Sequence, residues 1–383
     1  MERRGFIKLA GGGIVLAAVG SVATFSLTRT PVAALAPWAD ARTTPIGDPR
    51  RYALAHAILA PNPHNRQPWI ADIRVPGQIT LFVDTNRMLP QTDPFNRQIT
   101  IGLGCFLELL TMAAAQCGYR VDLDLFPDGE TSARLTGGRV AVARFVRDPS
   151  VRSDPLFRHV YDRRSNKDPF DTAKAVSPTS VTRLTAVARH GNMVTGSVDS
   201  ASITRLRTLT EQALRVEVET PRTFKESVDL FRIGRTEIER QPDGIDFSGP
   251  LFEGLALAGM FDRKTLADPK SSGYAQGLKA VLDNASSAMG HIWMVSRDNS
   301  RKAQIAAGRD WVRLNLAATR DGIAFHPLSQ ALQEYPEMES LYRDAHRLLA
   351  PHGGTVQMLS RIGFGTTPAP SPRWPFQAKL LVA

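Results

Sequence analysis

The sequence predicts an α+β protein built from two related halves, on the basis of one internal repeat and of the strands and helices around it. The repeat joins residues 104–119 and 308–323, which keep one constant offset over sixteen positions. Each copy is an apolar helix rich in Leu and Ala that stops at a glycine, Gly118 or Gly322, and then enters a short β-like run. A fused pair of such units can imitate a homodimer. The alternative is that any two helices rich in Ala and Leu resemble each other.

Short runs on either side of the repeat supply the remaining elements. Strands are predicted at 79–83, 121–126, 140–145 and 324–328, and helices at 51–59, 200–217 and 341–349. The stretch from Asp243 to Gly277 is rich in Gly, Pro and Ser and interrupts the second half, either as a lid or as an exposed insertion. The predicted organisation is therefore a leader at 1–41, a first half at 42–155 and a second half at 156–383.

Composition limits the classes of function. The 383 residues are 43% hydrophobic and 22% charged, which is typical of a chain that buries a core. The formal net charge of +10 favours anionic ligands, but the basic residues are scattered and no nucleic-acid-binding motif accompanies them, so nucleic acid is not an expected partner.

Cys105 and Cys117 lie on one predicted helix about 18 Å apart, too far for a disulfide. No spacing of Cys and His residues predicts a metal site.

The first forty residues resemble a twin-arginine export signal. Arg3 and Arg4 precede a mildly apolar, glycine-containing run from Leu9 to Leu27. A permanent membrane anchor is the alternative, for which about 20 strongly apolar residues are needed. The resemblance implies export by the twin-arginine translocation machinery to the periplasm or another extracytoplasmic place, with cleavage after Ala41 or with an uncut, membrane-tethered form. Because that route carries folded proteins, it also implies a cofactor acquired before export.

A polar loop at residues 60–69 is the first candidate binding segment. Packed amides and prolines make it rigid, so that each amide can donate and accept hydrogen bonds at a fixed position. Such a loop suits a ring edged with carbonyls and nitrogens, although an ordinary polar turn has the same composition. The candidate binding residues in it are Asn62, Pro63, Asn65 and Gln67.

A basic run is the second candidate segment, and it contains Arg163, Ser165 and Lys167. Two guanidinium groups, a hydroxyl and an ammonium within five residues suit a phosphate monoester beside an electron-rich ring, because charge-assisted and bidentate contacts hold phosphate strongly. Taken alone, the run is more typical of a solvated basic turn.

Together, the two segments resemble those of the FMN-dependent nitroreductase family. In that family one basic segment holds the flavin phosphate, ribityl chain and pyrimidine edge, and a second loop lies against the flavin from the partner subunit. The residues that match the basic segment are Arg163, Ser165 and Lys167, and those that match the loop are Pro61, Asn65, Gln67, Pro68 and Trp69. Asn62 replaces the usual serine. The loop precedes the basic segment here, as in the fused-pair branch related to the mycobacterial Acg proteins, and further matches lie at residues 93–97, 308–311, 326–330 and 357–363.

The resemblance implies a nitroreductase-like fold in which two halves form a pseudo-dimer around one FMN at the seam between them. It adds Pro327, Leu328 and Ser329, whose backbone resembles the segment facing the reactive edge of the flavin, and Arg373, a terminal arginine of the kind that reaches flavin phosphate. It implies an oxidoreductase that passes electrons from a reduced donor such as NAD(P)H to a nitroaromatic, a quinone or a similar acceptor. The alternative is a flavin-binding or flavin-storage protein without turnover, in which the 243–277 insertion covers the ring. The resemblance leaves open whether the chain is a monomer or a homodimer.

Overall fold

The computed structural model of the protein describes residues 29–130 and 133–381. In this part of the chain the helices are α1 (Val32–Thr43), α2 (Pro49–Ala57), α3 (Arg97–Gln116), α4 (Pro178–Thr185), α5 (Ser200–Glu219), α6 (Pro221–Asp229), α7 (Gly234–Arg240), α8 (Pro250–Leu257), α9 (Arg263–Ala267), α10 (Ser272–Ser286), α11 (Arg301–Arg320) and α12 (Glu339–Leu349). The strands are β1 (Trp69–Asp72), β2 (Gln78–Val83), β3 (Tyr119–Leu125), β4 (Arg139–Arg147), β5 (Met193–Ser197), β6 (Phe231–Ile233), β7 (Ile245–Phe247), β8 (Gly290–Ser296), β9 (Ala324–Pro327) and β10 (Thr355–Gly363). This mixture confirms the predicted α+β class.

Most strands belong to two four-stranded antiparallel sheets with the same internal order. The first sheet runs β1-β2-β4-β3, and the second runs β5-β8-β10-β9. In each unit two strands precede a 20-residue helix and two strands follow it, so that α3 and α11 occupy equivalent places. The repeat in the sequence therefore corresponds to a repeat of the whole strand-strand-helix-strand-strand unit.

The two repeated helices end as the sequence predicts. Gly118 and Gly322 have φ angles of 75° and 66°, in the left-handed region that favours glycine over residues with a Cβ atom. The strands predicted at 79–83, 121–126, 140–145 and 324–328 are found as β2, β3, β4 and β9, and the helices predicted at 51–59, 200–217 and 341–349 are found as α2, α5 and α12. Strand β10 is not predicted, because it is buried on both faces, polar positions included, and shows no alternation of apolar and polar residues.

Helices α3 and α11 cross at two glycines. A Cβ atom on Gly104 would collide with the carbonyl oxygen of Ile305, and a Cβ atom on Gly308 would collide with that of Ile101. Both helices are buried along most of their length and share one hydrophobic core with residues of both sheets. The point where α3 and α11 cross is therefore the centre of the core.

Among the described helices, α3 is long and apolar enough to cross a membrane, but most of it is buried inside the protein.

A buried ion-pair network also joins the two long helices. Glu108 of α3 accepts hydrogen bonds from Arg309 at 2.8 Å and from Arg313 at 2.9 Å, and Arg313 also pairs with Asp154 at 2.7 Å. Burial by itself raises the pKa of Glu108, but the hydrogen bond from His190 and the charge of Arg309 outweigh it and lower that pKa to about 2. Each buried charge in this network thus has a partner of opposite sign.

Helix α1 overlaps the end of the segment predicted as an export signal. Ala34, Trp38 and Ala41 are buried, and the Trp38 Nε1 group donates to the backbone oxygen of Ser371 at 2.9 Å. The backbone N–H of Arg373 donates to the backbone oxygen of Ala34 at 2.8 Å. The boundary predicted after Ala41 therefore falls inside a helix that packs on the body of the protein. The paired arginines and the apolar run of the predicted signal lie outside the described residues.

A long insertion, residues 198–289, separates β5 from β8, whereas a short turn joins the equivalent strands β1 and β2. It contains α5 to α10 and a two-stranded parallel sheet of β6 and β7. The Gly-, Pro- and Ser-rich stretch at 243–277 therefore forms β7, α8, α9 and part of α10. Its aromatic cluster brings Phe247 within 4.9 Å of Phe231 and 5.0 Å of Phe261, measured between ring centres.

Glu217, on α5, is a buried carboxyl group that makes stability depend on pH. Its Oε2 accepts a hydrogen bond from Gln333 at 2.8 Å, and burial raises the pKa of Glu217 from 4.5 to about 7. Between these two values the folded chain holds a proton that the unfolded chain has released. The contribution of Glu217 to stability therefore falls as the pH rises from 4.5 to 7, by roughly 3 kcal/mol.

We expect Glu217→Gln to remove this pH dependence, because an amide keeps the hydrogen bond and does not ionise. The free energy of unfolding of the variant should exceed that of the wild type by about 3 kcal/mol at pH 8 and by much less at pH 4.5. Urea unfolding at both pH values measures the difference. Glu219→Gln, at an exposed position of the same helix, is the matched control and should change little. An effect of the same size at both pH values would contradict the prediction.

Candidate functional site

The amide loop, residues 62–67, is held in a strained conformation. His64, Asn65 and Gln67 have φ angles of 46°, 49° and 50°, which residues other than glycine seldom adopt. The Asn62 side chain spans the loop, because its Oδ1 atom accepts from the backbone N–H of Gln67 at 2.7 Å. Backbone strain of this kind costs on the order of 1–3 kcal/mol per residue and clusters at ligand sites. The conformation therefore marks the loop as a candidate functional segment.

Asn62 and Pro63, two of the predicted binding residues, lie half-buried over Gly102 of α3. A Cβ atom on Gly102 would come within 3.0 Å of the Asn62 Cβ atom and 3.3 Å of the Pro63 Cδ atom. Glycine at this position therefore allows the amide loop to approach the central helix closely.

The side-chain amides of Asn65 and Gln67 form hydrogen bonds with other parts of the protein. The buried Gln67 donates from Nε2 to the backbone oxygen of Pro242 at 2.6 Å and accepts at Oε1 from the backbone N–H of Trp374 at 2.8 Å. The Oδ1 atom of Asn65 accepts from Arg373 at 2.6 Å. Buried amides require such partners. The two side chains thus tie the loop to the insertion and to the C-terminal segment, and their predicted contact with a ring stays a prediction.

Arg163 and Arg373 form a buried pair of cations. Their guanidinium groups donate to the same acceptor, the backbone oxygen of Leu59, at 3.2 and 3.4 Å. The Nε atom of each is buried without a hydrogen-bond partner, and within the described ranges neither residue makes an ion pair with a carboxylate. Burial lowers the pKa of Arg163 to about 10 and that of Arg373 to about 9, and the charge of Arg163 adds to the effect on Arg373.

This arginine pair differs from the balanced network around Glu108. Arg373 also donates to the Asn65 side chain and to two further backbone oxygens, and the charge of Asp246 acts on it, but neither arginine makes an ion pair with a described residue. Neutral acceptors replace the lost hydration of two buried cations only in part. Unsatisfied guanidinium donors are also the groups that bind phosphate most strongly. The pair is therefore a candidate phosphate site.

Further polar groups lie on the segments that carry or flank the arginine pair, and we call the whole set the seam cluster: His64, Arg163, Lys167, Asp246, His326 and Arg373. Burial lowers the pKa of His64 to about 4 and that of His326 well below 6.5, and it raises the pKa of Asp246. Lys167 itself is exposed, and its positive charge contributes to the lowered pKa of both imidazoles and opposes the rise at Asp246. Both imidazoles are therefore neutral at pH 7. Asn166, the residue before Lys167, donates from its backbone N–H to the backbone oxygen of Phe325 at 3.0 Å, which places the basic run beside His326. Ser165 is half-buried in the chain between Arg163 and Lys167.

The third predicted segment, residues 327–329, begins at the last residue of β9, and most of its polar groups are occupied by contacts with β10. Pro327 pairs with Ser360, the backbone N–H of Leu328 donates to the backbone oxygen of Leu359 at 2.9 Å, and the Ser329 hydroxyl bonds to the same residue at 3.2 Å. Because Pro327 has no N–H and that of Leu328 is occupied, neither backbone offers a donor to a bound ring. The predicted backbone donor is thereby restricted to Ser329, and its contact with a bound ring stays a prediction.

The basic run, the amide loop and the terminal arginine are all predicted to belong to one site. Three members of the seam cluster are not predicted as binding residues. His64 lies in the polar loop at residues 60–69, and His326 lies in the matched segment at residues 326–330. Their position in these motifs is the only feature of the sequence that indicates a role in binding. Asp246 lies on β7 in the insertion, and no pattern around it predicts a site. The folding of the insertion brings β7 to the amide loop, where the backbone N–H of Gly244 donates to that loop, and the charges of Lys167 and Arg373 then act on the Asp246 carboxyl.

Asp243 anchors the insertion beside the amide loop. Its completely buried carboxylate pairs with Arg232 at 3.1 Å and with Arg87. The backbone N–H of the next residue, Gly244, donates to the backbone oxygen of Asn65 at 3.3 Å. The insertion therefore covers one side of the loop.

Two surface clefts lie away from the seam cluster. One, of about 520 Å³, lies between α5 and α10, and the other, of about 430 Å³, is lined by Arg87, Trp374 and Lys379 among others. Neither is lined by a residue of the seam cluster. No group of three or more His, Cys, Asp or Glu side chains in residues 29–130 and 133–381 is placed to hold a metal ion.

Comparison with solved structures finds chains that share little sequence with this one. A nitroreductase-like family protein from Bacillus cereus is 13% identical, over 60% of this chain and 96% of the other, with a TM-score of 0.34. The FMN-dependent nitroreductase NfnB from Mycobacterium smegmatis, in complex with NADPH, is 18% identical, over 55% of this chain and 92% of its own, with a TM-score of 0.32. No family model matches the sequence.

Comparison with curated proteins finds relatives in Mycobacterium tuberculosis. One, named "Putative NAD(P)H nitroreductase Rv3131", is 25% identical over 332 residues, which cover 84% of this chain and 88% of the relative. Another, named "Putative NAD(P)H nitroreductase acg", is 30% identical over 122 residues, or 31% of this chain and 36% of the relative. Along most of its length, the chain is thus similar to a mycobacterial protein that bears a nitroreductase name.

Proposed function

We propose that the chain is an FMN-binding oxidoreductase of the nitroreductase type. The observation that carries this proposal is the buried pair of Arg163 and Arg373, which lies without a carboxylate partner against a strained amide loop. The similarity to an NAD(P)H nitroreductase relative over 84% of this chain supports it independently.

The donor set of the seam cluster fits FMN. The free Nε groups of Arg163 and Arg373 suit the phosphate, and Lys167 and Ser165, in the same basic run as Arg163, would supply further donors. FMN, when bound, supplies the capacity to accept and pass on electrons, while the protein supplies binding, electrostatics and exclusion of water. In this chain the arginine pair would hold the anion, and burial would keep the surrounding imidazoles neutral and the site dry.

We infer that NAD(P)H is the electron donor and that a nitroaromatic, a quinone or a similar small molecule is the acceptor. The names of the relatives support the donor. A flavin-binding or flavin-storage protein without turnover is the second candidate. It is favoured by the anchoring of the insertion through Asp243 and by the two clefts, which do not reach the seam cluster.

One experiment tests FMN binding and turnover together. We expect the purified full-length protein to be yellow and to lose its flavin absorbance when NADH or NADPH is added without oxygen. Loss of absorbance with dithionite but not with either nicotinamide supports the storage protein instead. A colourless protein that does not take up added FMN would overturn the proposed function.

We also propose export by the twin-arginine route, so that the protein acts in the periplasm or another extracytoplasmic place. The pair Arg3 and Arg4 supports this proposal. In a bacterial host that has this pathway, the full chain carrying Arg3→Lys and Arg4→Lys should stay in the cytoplasmic fraction, whereas the wild type is recovered outside it. Recovery of both proteins outside the cytoplasm at equal levels would contradict export by this route.

A further inference from the structure

Arg361 and His326 form a well-defined polar contact at the edge of the seam cluster. Arg361 is fully buried on β10, and its Nε atom lies 2.9 Å from the Nδ1 atom of His326. The other guanidinium nitrogens donate to the Ser287 hydroxyl at 2.8 Å and to the backbone oxygen of Asp168 at 2.7 Å. The Phe170 ring lies 3.8 Å from the guanidinium carbon. Arg361 is therefore held in one orientation by partners on several sides.

This contact determines the tautomer of His326. A guanidinium group has only donors, so the Nδ1 atom of His326 must accept the hydrogen bond. A neutral imidazole carries one proton on nitrogen, and that proton must then be on Nε2. Burial, together with the charges of Arg361 and Lys167, keeps the imidazole neutral. The side chain stays half-buried, and no hydrogen bond joins its Nε2 atom to another described residue.

We propose that His326 presents a fixed Nε2–H donor to the electron-rich edge of the ring held in the seam cluster, and that Arg361 is the positioning residue that sets its tautomer. This inference rests on the proposed function and names the side chain that supplies the donor which Pro327 and Leu328 do not offer. Because reduced flavin carries more electron density than oxidised flavin, a nearby N–H donor favours the reduced form.

The affinities of the full-length protein for oxidised and reduced FMN, both measured without oxygen, test the donor. His326→Phe keeps a planar ring but removes the N–H, so it should weaken the binding of reduced FMN roughly tenfold more than that of oxidised FMN. His326→Gln offers an amide N–H and should recover part of the difference. His352→Gln, at an exposed histidine, is the control and should leave the ratio unchanged.

Nitrogen NMR of the ligand-free full chain, labelled at histidine, tests the positioning role without FMN. The His326 signals, assigned by their loss in His326→Gln, should show a protonated Nε2 and an unprotonated Nδ1, and Arg361→Met should populate the other tautomer as well. A proton on Nδ1 in the wild type, or an unchanged affinity ratio in His326→Phe, would overturn this inference while FMN binding stands. Failure of the wild-type chain to bind FMN would instead overturn the proposed function together with the inference built on it.

Discussion

Replacing Arg163 by methionine should lower the affinity for FMN roughly a hundredfold, because a hydrogen bond to a charged group contributes about 1.5–3 kcal/mol. It should do so without destabilising the ligand-free protein. The guanidinium of Arg163 is buried, and its hydrogen bond is to the Leu59 backbone oxygen, which Arg373 also contacts. Methionine fills a similar space and leaves that oxygen with a donor. Removal of the uncompensated charge should therefore leave the free energy of unfolding unchanged or raise it by about 1–3 kcal/mol.

The comparison of FMN with riboflavin makes this prediction specific to phosphate. Riboflavin lacks the phosphate, so its affinity should be nearly the same in Arg163→Met and the wild type if Arg163 binds that group. Arg158→Met, at an exposed arginine five residues earlier, is the matched control and should affect neither ligand. Titrations of both flavins and urea unfolding of the ligand-free proteins measure the effects. An equal loss of affinity for FMN and riboflavin would show that Arg163 does not act on the phosphate.

Gly308→Ala should destabilise the protein by about 3 kcal/mol or more, because it adds a methyl group where two backbones touch. The new Cβ atom would collide with the Ile101 carbonyl oxygen and lie 2.9 Å from the backbone nitrogen of Cys105, both on α3. These are backbone atoms of a buried helix, so they cannot move aside as a flexible side chain can. The two central helices would have to separate, and the core that they share with both sheets would open.

A second glycine separates this steric effect from ordinary helix propensity. Gly277 lies inside α10, and a Cβ atom there would have no heavy atom within 4 Å. Gly277→Ala should therefore stabilise the protein by about 0.5–1 kcal/mol, the gain expected when alanine replaces glycine within a helix. Thermal and urea unfolding of both variants measure the difference. A Gly308→Ala variant as stable as the wild type would show that α3 and α11 do not meet at these glycines.

The close approach of the helices also explains why the repeat is visible in the sequence. Gly104 and Gly308 occupy equivalent places in the two copies, and each faces the backbone of the other helix. Gly118 and Gly322 end the two helices in the left-handed conformation. Backbone conformation and steric contact restrict such positions to glycine, so the same residue recurs at the same offset in both copies.

Local features could be predicted from the order of the residues: the repeated helices and their ends, several strands, and the two polar segments with the chemistry of their side chains. These features depend on periodicity and on backbone preferences within a few residues. The partners of those side chains became known only from the folded chain. It directs the amides of Asn65 and Gln67 to protein partners, leaves Arg163 and Arg373 without a carboxylate, and orients His326 through Arg361. The physical reason is that burial and hydrogen-bond partners arise where distant segments pack together, and a local pattern contains no information about that packing.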